Sequence, residues 1–301
     1  MAGAVLVAAL LAWVYLWPWP RYVPVLTYHS VLPRAEMDRT NLVLMSLERF
    51  TEQMAFLKRH GYHSVTLEEL AAFVAGRGVK LPPKPVVITF DDGYEDNYTY
   101  ARPVLQAAGF TAVVSVVVKY SDETSAGRTV DPTLRYLTWD QLREMTAEGV
   151  FEVESHTYDS HHDVAIDGLG TAAPAVTHRR FLWDQARLET EDEYRARILA
   201  DLQRSRAEIA AQVGRAPVAI TYPYGTSNLT VETLARQAGY EVGLSTLKGF
   251  NLRGENLMRL RRITAADRDG PLRFAFKLSP AHYPRDLFLG FLRRHGVLKG
   301  D

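Results

Sequence analysis

Hydrophobic and polar positions alternate in blocks along the chain between residues 23 and 246. Short apolar runs typical of buried strands are each followed by an amphipathic stretch. The predicted strands cover residues 23–28, 86–90, 111–118, 150–157, 218–225 and 240–246, with a short one near residue 64. The predicted helices cover residues 47–62, 66–76, 97–109, 138–149, 189–214 and 228–239. This order predicts an α/β fold with a parallel sheet covered by helices, and its regularity favours a closed barrel over an open sheet.

Residues that start and end helices support these assignments. Ser46, Thr66 and Thr138 each precede a predicted helix, where a side-chain oxygen can accept a hydrogen bond from a free backbone N–H. Gly61 and Gly109 follow two of the helices and indicate where they end. The sequence after residue 247 is less regular, and no element is assigned there.

The first twenty residues differ from the rest of the chain. Residues 2–20 carry no charge. The length of this uncharged segment is close to the about 20 apolar residues that a membrane-spanning helix needs. Aromatic residues crowd the end of this segment, as at a membrane interface: Trp13, Tyr15, Trp17 and Trp19. No basic residue precedes the segment and no small-residue cleavage site follows it, which favours an uncleaved anchor over a cleaved signal peptide.

The predicted domain organisation follows from this segment. Residues 1–20 form a transmembrane anchor or signal, residues 21–267 the main domain, and residues 268–301 a C-terminal extension. We expect a cell-membrane protein with one N-terminal anchor and its domain outside the cytoplasm, or a secreted protein if the segment is cleaved. Arg21 and Arg34 follow the segment and favour the opposite orientation, but a long domain can override that bias.

Composition excludes several kinds of protein. The 301 residues contain no cysteine, which rules out disulfides, thiolate metal sites and cysteine nucleophiles. Lys plus Arg and Asp plus Glu both number 35, so no basic surplus indicates a nucleic-acid binder.

Four polar stretches fall where predicted strands end: TYHS, TFDDG, ESHTYDSHH and TYPYG. In a parallel barrel these ends meet at one rim, which is the usual place for an active site. Asp91 and Asp92 are adjacent, and their repulsion destabilises the fold unless a cation lies nearby or one carboxylate is kept for chemistry. Helix capping could explain one of them but not both.

Histidines near this rim indicate a metal site. His156 and either His161 or His162, with one of the two aspartates, would give two imidazoles and a carboxylate. That set suits zinc or another divalent transition metal. The second aspartate could then serve as a general base for water.

The motifs TFDDG, SHTYDSH and TYPYG, in this order, resemble those of the polysaccharide deacetylases of carbohydrate esterase family four. The resemblance covers about residues 22–263. It implies a distorted (β/α)7 TIM-like barrel of the NodB homology type. It also implies metal-dependent removal of acetyl groups from N-acetylglucosamine polymers.

The resemblance also implies roles for particular residues. Asp91 is the general base, and the metal ligands are Asp92, His156 and His161, with His162 as an alternative. The ligands would hold one divalent ion, zinc first, with cobalt, nickel or iron as alternatives. Tyr224 is expected to give its backbone N–H to the oxyanion.

Two features resemble the branch of the family that deacetylates the biofilm polymer poly-β-1,6-N-acetylglucosamine. The two histidines are five residues apart rather than four, and TYHS lies early in the chain. In that branch the acid comes from the early motif, which implies His29. His282 and His295 lack the pattern that surrounds the late acid of the wider family.

Weaker candidates surround this set. Trp139, Tyr222 and Arg259 could bind substrate, as could Tyr158, although aromatic residues at such positions more often pack in the core. Arg259, Arg261 or Arg262 could orient Asp91, or could line a solvated strand edge. The long polar segment 163–192 follows the metal loop and could shape the substrate groove.

Together these features predict a metal-dependent N-deacetylase that acts on an extracellular poly-β-1,6-N-acetylglucosamine. Its expected partners are the polysaccharide and the membrane, without nucleic acid, and the protein is expected to be a monomer. Peptidoglycan, chitin oligomers or O-acetyl groups are alternative substrates. A carbohydrate-binding export component with vestigial activity is an alternative of another class.

Overall fold

The structure is a computed structural model that describes residues 22–37, 43–279 and 282–283. Its centre is a parallel barrel of seven strands: β1 (Val25–Tyr28), β2 (Pro85–Phe90), β3 (Ala112–Val116), β4 (Phe151–Ser155), β5 (Ala219–Thr221), β6 (Val242–Lys248) and β7 (Leu260–Thr264). Each strand pairs with the next along the chain, and pairing of β1 with both β7 and β2 closes the ring. The predicted (β/α)7 barrel is confirmed.

Helices surround the barrel: α1 (Leu47–Arg59), α2 (Leu67–Val74), α3 (Arg102–Ala108), α4 (Val118–Ser125), α5 (Trp139–Ala147), α6 (Glu191–Val213), α7 (Leu229–Gln237) and α8 (Pro271–Lys277). A π-helical turn, Asn97–Ala101, precedes α3, and 3-10 turns form at Pro223–Gly225 and Leu257–Arg259. His63–Ser64 pairs with the start of β2. Three short strand pairs complete the description: Val31–Leu32 with Met45–Ser46, Asp163–Ala165 with Ala172–Pro174, and Phe181–Leu182 with Arg187–Leu188.

The predicted capping residues have the expected contacts. The Ser46 side chain accepts a hydrogen bond from a backbone N–H in the first turn of α1. Thr66 and Thr138 form reciprocal capping boxes at α2 and α5. Each such cap typically stabilises a protein by about 1 kcal/mol. Gly109 ends α3 in the left-handed conformation, at φ 76°.

Alternation along β1 places its side chains in two of the three hydrophobic clusters of the described residues. Leu26 and Tyr28 of β1 belong to an outer cluster with Phe50 of α1. Val25 belongs to an inner cluster that includes Leu67 and other residues of α2. The inner cluster therefore joins the barrel interior to α2, which follows the short strand beside the start of β2. The opposite rim, where the strands end, is left for polar side chains.

The region after residue 247 contains an element that the sequence analysis missed. Strand β7 completes the barrel, but its sequence LRRIT has two adjacent arginines, which hide the apolar pattern. Within the predicted C-terminal extension, α8 packs on α1, with the Phe274 and Phe56 rings 5.6 Å apart.

The predicted N-terminal anchor, residues 1–20, lies outside the described residues. Among the helices that are described, none combines the length and apolar character needed to cross a membrane.

The barrel is distorted between β4 and β5, which pair only at Ser155 and Ile220. Beside this pair the fully buried Glu154 carboxylate accepts a hydrogen bond of 2.6 Å from the Ala219 N–H. A side chain therefore takes the place of a strand-to-strand hydrogen bond. Burial raises the pKa of Glu154 to about 8, although the Ala219 N–H and Arg215 oppose the shift.

Replacing Glu154 with Gln should flatten the pH dependence of stability. The pKa of Glu154 is higher in the folded protein than in the unfolded chain. Its contribution to the free energy of unfolding is therefore complete below the unfolded-state pKa near 4.5 and is lost as pH rises towards 8. The wild-type melting temperature should fall more between pH 5 and pH 9 than that of Glu154→Gln. If the melting temperatures of the two proteins changed equally with pH across this range, Glu154 would not titrate in it.

Candidate metal centre and active site

Three predicted ligands meet at the rim where the strands end. Asp92 follows β2, while His156 and His161 lie in the loop after β4. The Asp92 Oδ1 atom is 3.3 Å from Nε2 of His156 and 3.4 Å from Nε2 of His161. All three ligand atoms lie within 4.8 Å of one another. His162, the alternative, is exposed and does not belong to this group.

The geometry of this group fits a divalent transition metal. Ligand atoms about 2.0–2.2 Å from zinc, in a tetrahedral arrangement, lie about 3.3–3.6 Å apart. The Nδ1–H of His156 donates to the Thr221 carbonyl over 2.7 Å, which leaves Nε2 as the ligand atom. Asp92 has a left-handed backbone at φ 73°, a strained conformation for a residue other than glycine.

The charges around the ligands also suit a metal site. Burial lowers the pKa of His161, and neighbouring His156 lowers it further, to about 4, so that His161 is neutral at pH 7. Burial opposes ionisation of Asp92, but its hydrogen bond with His156 and the charge of that residue hold its pKa below the ordinary value. A neutral imidazole and an ionised carboxylate are the forms that bind metal, and His161 and Asp92 are already in these forms. Burial tends to lower the pKa of His156, but Asp92 and Asp91 outweigh it and raise the pKa, so metal binding at His156 displaces a proton.

Asp91 faces a different partner from its neighbour. Both of its oxygens accept hydrogen bonds from the Arg262 guanidinium, at 2.7 and 2.9 Å, and both side chains are buried. Burial tends to raise the pKa of Asp91, but the charges of Arg262 and His29 outweigh it and lower the pKa. Asp91 is therefore an oriented carboxylate at neutral pH.

Of the three candidate arginines, only Arg262 reaches Asp91. Its Nε–H also donates to the Ser245 carbonyl over 2.9 Å, which fixes the guanidinium from the β6 side. Arg259, predicted to bind substrate, pairs with the buried Glu232 at 2.6 Å. Arg261 donates to the Lys248 carbonyl.

His29 lies beside Asp91 and does not belong to the group of metal ligands. It follows β1 directly, and its Nε2 atom is 3.9 Å from Oδ2 of Asp91. His282 lies elsewhere, since its ring contacts Tyr283, which packs on Phe250 and through it on Tyr22 ahead of β1. His282 is therefore associated with the end where β1 begins. His295 lies outside the described residues.

Tyr224 adopts an unusual backbone beside the ligands. Its φ is 56°, and its ring centroid is 4.9 Å from that of His161. The next residue must be glycine, because a Cβ on Gly225 would come within 2.1 Å of Thr246. This tight turn places the Tyr224 ring beside His161, and the oxyanion contact of its backbone N–H stays a prediction.

Two of the three aromatic residues predicted as substrate contacts are buried in the core. Trp139 is 4 % exposed and donates its indole N–H to Asp122 over 2.9 Å. Tyr222 is fully buried, and its hydroxyl donates to the Met258 carbonyl. Both rings are packed in the core, so neither face is available to a sugar. Tyr158 is partly exposed, with the Arg204 guanidinium 3.6 Å from its ring centroid.

Two residues that no sequence motif indicates support the metal ligands. The Tyr94 hydroxyl forms a hydrogen bond with Asp92, and burial together with the Asp92 charge raises the pKa of Tyr94. Asp201 of α6 accepts hydrogen bonds from the backbone N–H groups of Tyr158 and Asp159, at 2.9 and 2.8 Å. It therefore braces the loop between the two histidine ligands. No sequence signal singles out Asp201, which lies in a helix expected to be solvated.

Replacing Asp201 with Ala should weaken metal binding without removing a ligand. Loss of two backbone contacts frees the loop that carries His161, and mutations of such supporting contacts typically cost about 10–100-fold in metal affinity. A chelator competition titration measures this change. Asp192→Ala, an exposed position on the same helix, is the matched control. Equal metal affinity in Asp201→Ala and wild type would show that the Asp201 contacts do not contribute to metal binding.

Comparison with known proteins agrees with this geometry. A profile of the family described as polysaccharide deacetylase matches residues 78–243. The poly-beta-1,6-N-acetyl-D-glucosamine N-deacetylase of Escherichia coli K12 is 32% identical over 266 residues, which cover 86% of this chain and 39% of that protein. The chain thus spans about two fifths of the length of this relative.

Solved structures give the same result. A de-N-acetylase from Aggregatibacter actinomycetemcomitans superposes with a TM-score of 0.76 at 28% identity, covering 85% of this chain and 100% of that one. The BpsB deacetylase domain from Bordetella bronchiseptica has a TM-score of 0.71 at 30% identity, covering 81% and 96%. The resemblance found in the motifs is confirmed, and the chain belongs to the polysaccharide deacetylase family.

Proposed function

We propose that this protein is a metal-dependent N-deacetylase acting on N-acetylglucosamine residues of a poly-β-1,6-N-acetylglucosamine-type extracellular polysaccharide. The observation that carries the proposal is that Asp91, paired with Arg262 and 3.9 Å from His29, directly precedes Asp92, which forms a group with His156 and His161. These residues could supply a base, an acid and a metal site for amide hydrolysis. Family membership and the named Escherichia coli relative support the choice of polymer.

The chemistry divides among these residues. A divalent cation, when bound by the three ligands, supplies Lewis-acid polarisation of the acetyl carbonyl and lowers the pKa of water. Asp91 removes a proton from the attacking water, and Arg262 keeps its carboxylate turned towards that position. His29 gives a proton to the departing amine. The Tyr224 N–H donates to the oxyanion, a contact typically worth about 3 kcal/mol.

An export component with vestigial activity is less well supported. A protein that only binds the polymer has no need for a buried arginine that orients a carboxylate, nor for a histidine placed opposite it. We further propose that the domain acts outside the cytoplasm, where such a polymer is found. The apolar segment 2–20 of the sequence supports this location.

A comparison of substrates tests the proposal. Purified full-length protein loaded with metal should release acetate faster from poly-β-1,6-N-acetylglucosamine oligomers than from chitin oligomers, which differ only in linkage. Peptidoglycan fragments and an O-acetylated glycan complete the set. Preference for either of these or for the chitin oligomers would overturn the proposed substrate.

Replacing His29 with Ala should lower kcat by about 10²–10⁴-fold, the usual contribution of one general acid, and leave metal content unchanged. Metal analysis and acetate release on the same preparation measure both. His63→Ala, which removes an exposed histidine whose ring contacts the Pro83 carbonyl, is the control. Loss of metal from His29→Ala would place His29 among the ligands instead.

A further inference from the structure

The loop that carries His29 is held by two residues without an assigned role. Asp96 accepts hydrogen bonds from the Ser30 hydroxyl at 2.5 Å and from the Val31 N–H at 3.0 Å. The Asn97 side-chain amide donates to the His29 carbonyl and to Asp96, both at 2.8 Å. The residues from His29 to Val31 are therefore each fixed by the dipeptide Asp96–Asn97.

The orientation of Asn97 follows from its neighbours. Its side chain is fully buried, and the two groups that it faces, a carbonyl and a carboxylate, are both acceptors. Only the amide NH2 can satisfy them, so the side chain has one acceptable orientation. An aspartate at this position would place a third acceptor against the other two.

Local helix geometry contributes to this arrangement. The Arg102 N–H bonds to the Asn97 carbonyl, five residues back, so the helix starts with a wide π turn. Pro103 has no N–H and would clash with the Thr99 carbonyl in a regular α-helix, which the wider turn relieves. Such π turns often occur at functional sites. Asn97 is the first residue of this turn.

The same short segment also carries the base and a ligand. Asp91 and Asp92 lie four or five residues before Asp96, and the Asp91 N–H donates to the Tyr28 carbonyl, next to His29. One continuous segment therefore contacts the chain from Tyr28 to Val31 at successive points. A small number of hydrogen bonds therefore sets the distance between the proposed base, Asp91, and the proposed acid, His29.

We propose that Asp96 and Asn97 are positioning residues for His29, which hold its imidazole beside Asp91, where it can give a proton to the departing amine. This inference rests on the proposed function, because the acid role of His29 is part of it. An error of about 1 Å in such a position can cost about 10²-fold in rate. The loop also pairs through Val31–Leu32 with Met45–Ser46, so loss of Asp96 should loosen it without unfolding the protein.

A double-mutant cycle tests the proposal on the full-length, metal-loaded protein. Asp96→Ala should lower kcat by about 10–100-fold, with KM and metal content unchanged. In a His29→Ala background the same change should have almost no further effect, because the group that it positions is gone. Asp96→Asn, which keeps an acceptor, should recover part of the rate. Asp131→Ala, which removes the cap of an exposed turn, is the matched control.

Two results would overturn the proposal: an unchanged kcat in Asp96→Ala, or an equal loss in both backgrounds, which would indicate a general structural defect. A second readout does not depend on turnover. In protein labelled with ¹⁵N-histidine, Asp96→Ala should alter the line width of the His29 imidazole signal and leave that of His63 unchanged. Wild type that releases no acetate would refute the proposed function alone, whereas an unchanged His29 signal would refute the positioning role.

Discussion

Asp91→Asn is expected to bind metal as tightly as the wild type and to lower kcat by about 10²–10⁴-fold. The Asp91 side chain pairs with Arg262 and is not one of the three ligands, so its replacement leaves the metal group intact. Asparagine cannot accept the proton of the attacking water. Acetate release and metal content, measured on the same sample, test both parts of this expectation.

This variant also disturbs a buried ion pair, so its folding must be checked. Leaving Arg262 without its carboxylate can cost about 3–5 kcal/mol of stability, although asparagine keeps one acceptor for it. A melting curve establishes that the variant is folded at the assay temperature. Asp184→Asn, an exposed position, is the matched control. A folded Asp91→Asn with near-wild-type turnover would remove Asp91 from the role of base.

Asp92→Asn is expected to abolish stoichiometric metal binding and, with it, turnover. Asp92 is the single anionic ligand of the group, and both histidine Nε2 atoms lie within 3.4 Å of its Oδ1. Without that charge two imidazoles remain, which hold a divalent ion far less tightly. Metal analysis after dialysis against a weak chelator measures the loss, and a large excess of metal should restore part of the activity.

Asp91→Asn is the natural control for this experiment, since it makes the same chemical change one residue away. Full metal occupancy in Asp92→Asn would contradict the assignment of Asp92 as a ligand. Loss of metal from both variants would mean that the two carboxylates share the ion.

The two adjacent carboxylates coexist because the backbone separates them. Unit charges of the same sign about 4 Å apart repel by about 4 kcal/mol at an effective dielectric constant of 20. The left-handed φ of Asp92 turns its side chain towards His156 and His161, whereas Asp91 continues from β2 towards Arg262. Each carboxylate thus has its own cationic or metal-binding partners.

Much of the barrel could be predicted because short apolar runs and amphipathic helices alternate in blocks. The motifs at strand ends identified Asp91, Asp92, His156 and His161, since the carboxyl ends of parallel strands meet at one rim. Strand β7 escaped prediction because Arg262, which belongs to the barrel interior, makes its sequence look solvated.

Contacts between distant parts of the chain could not be predicted. The sequence did not distinguish Arg262 from Arg259 and Arg261, because the choice depends on which side of β7 faces the interior. Asp201 and Asp96 look like ordinary polar positions on helices, and only the folded chain shows which backbone N–H groups they meet. The prediction that Trp139 contacts substrate had the opposite problem. From the sequence alone, an aromatic residue that binds substrate looks the same as one that packs in the core.

Acetate release from poly-β-1,6-N-acetylglucosamine oligomers by the purified full-length chain tests the central claim most directly. It should be measured as purified, after chelator treatment, and after metal is added back. The account predicts release that the chelator removes and a divalent metal restores. Release that persists when no metal remains bound would contradict the proposed role of Asp92, His156 and His161.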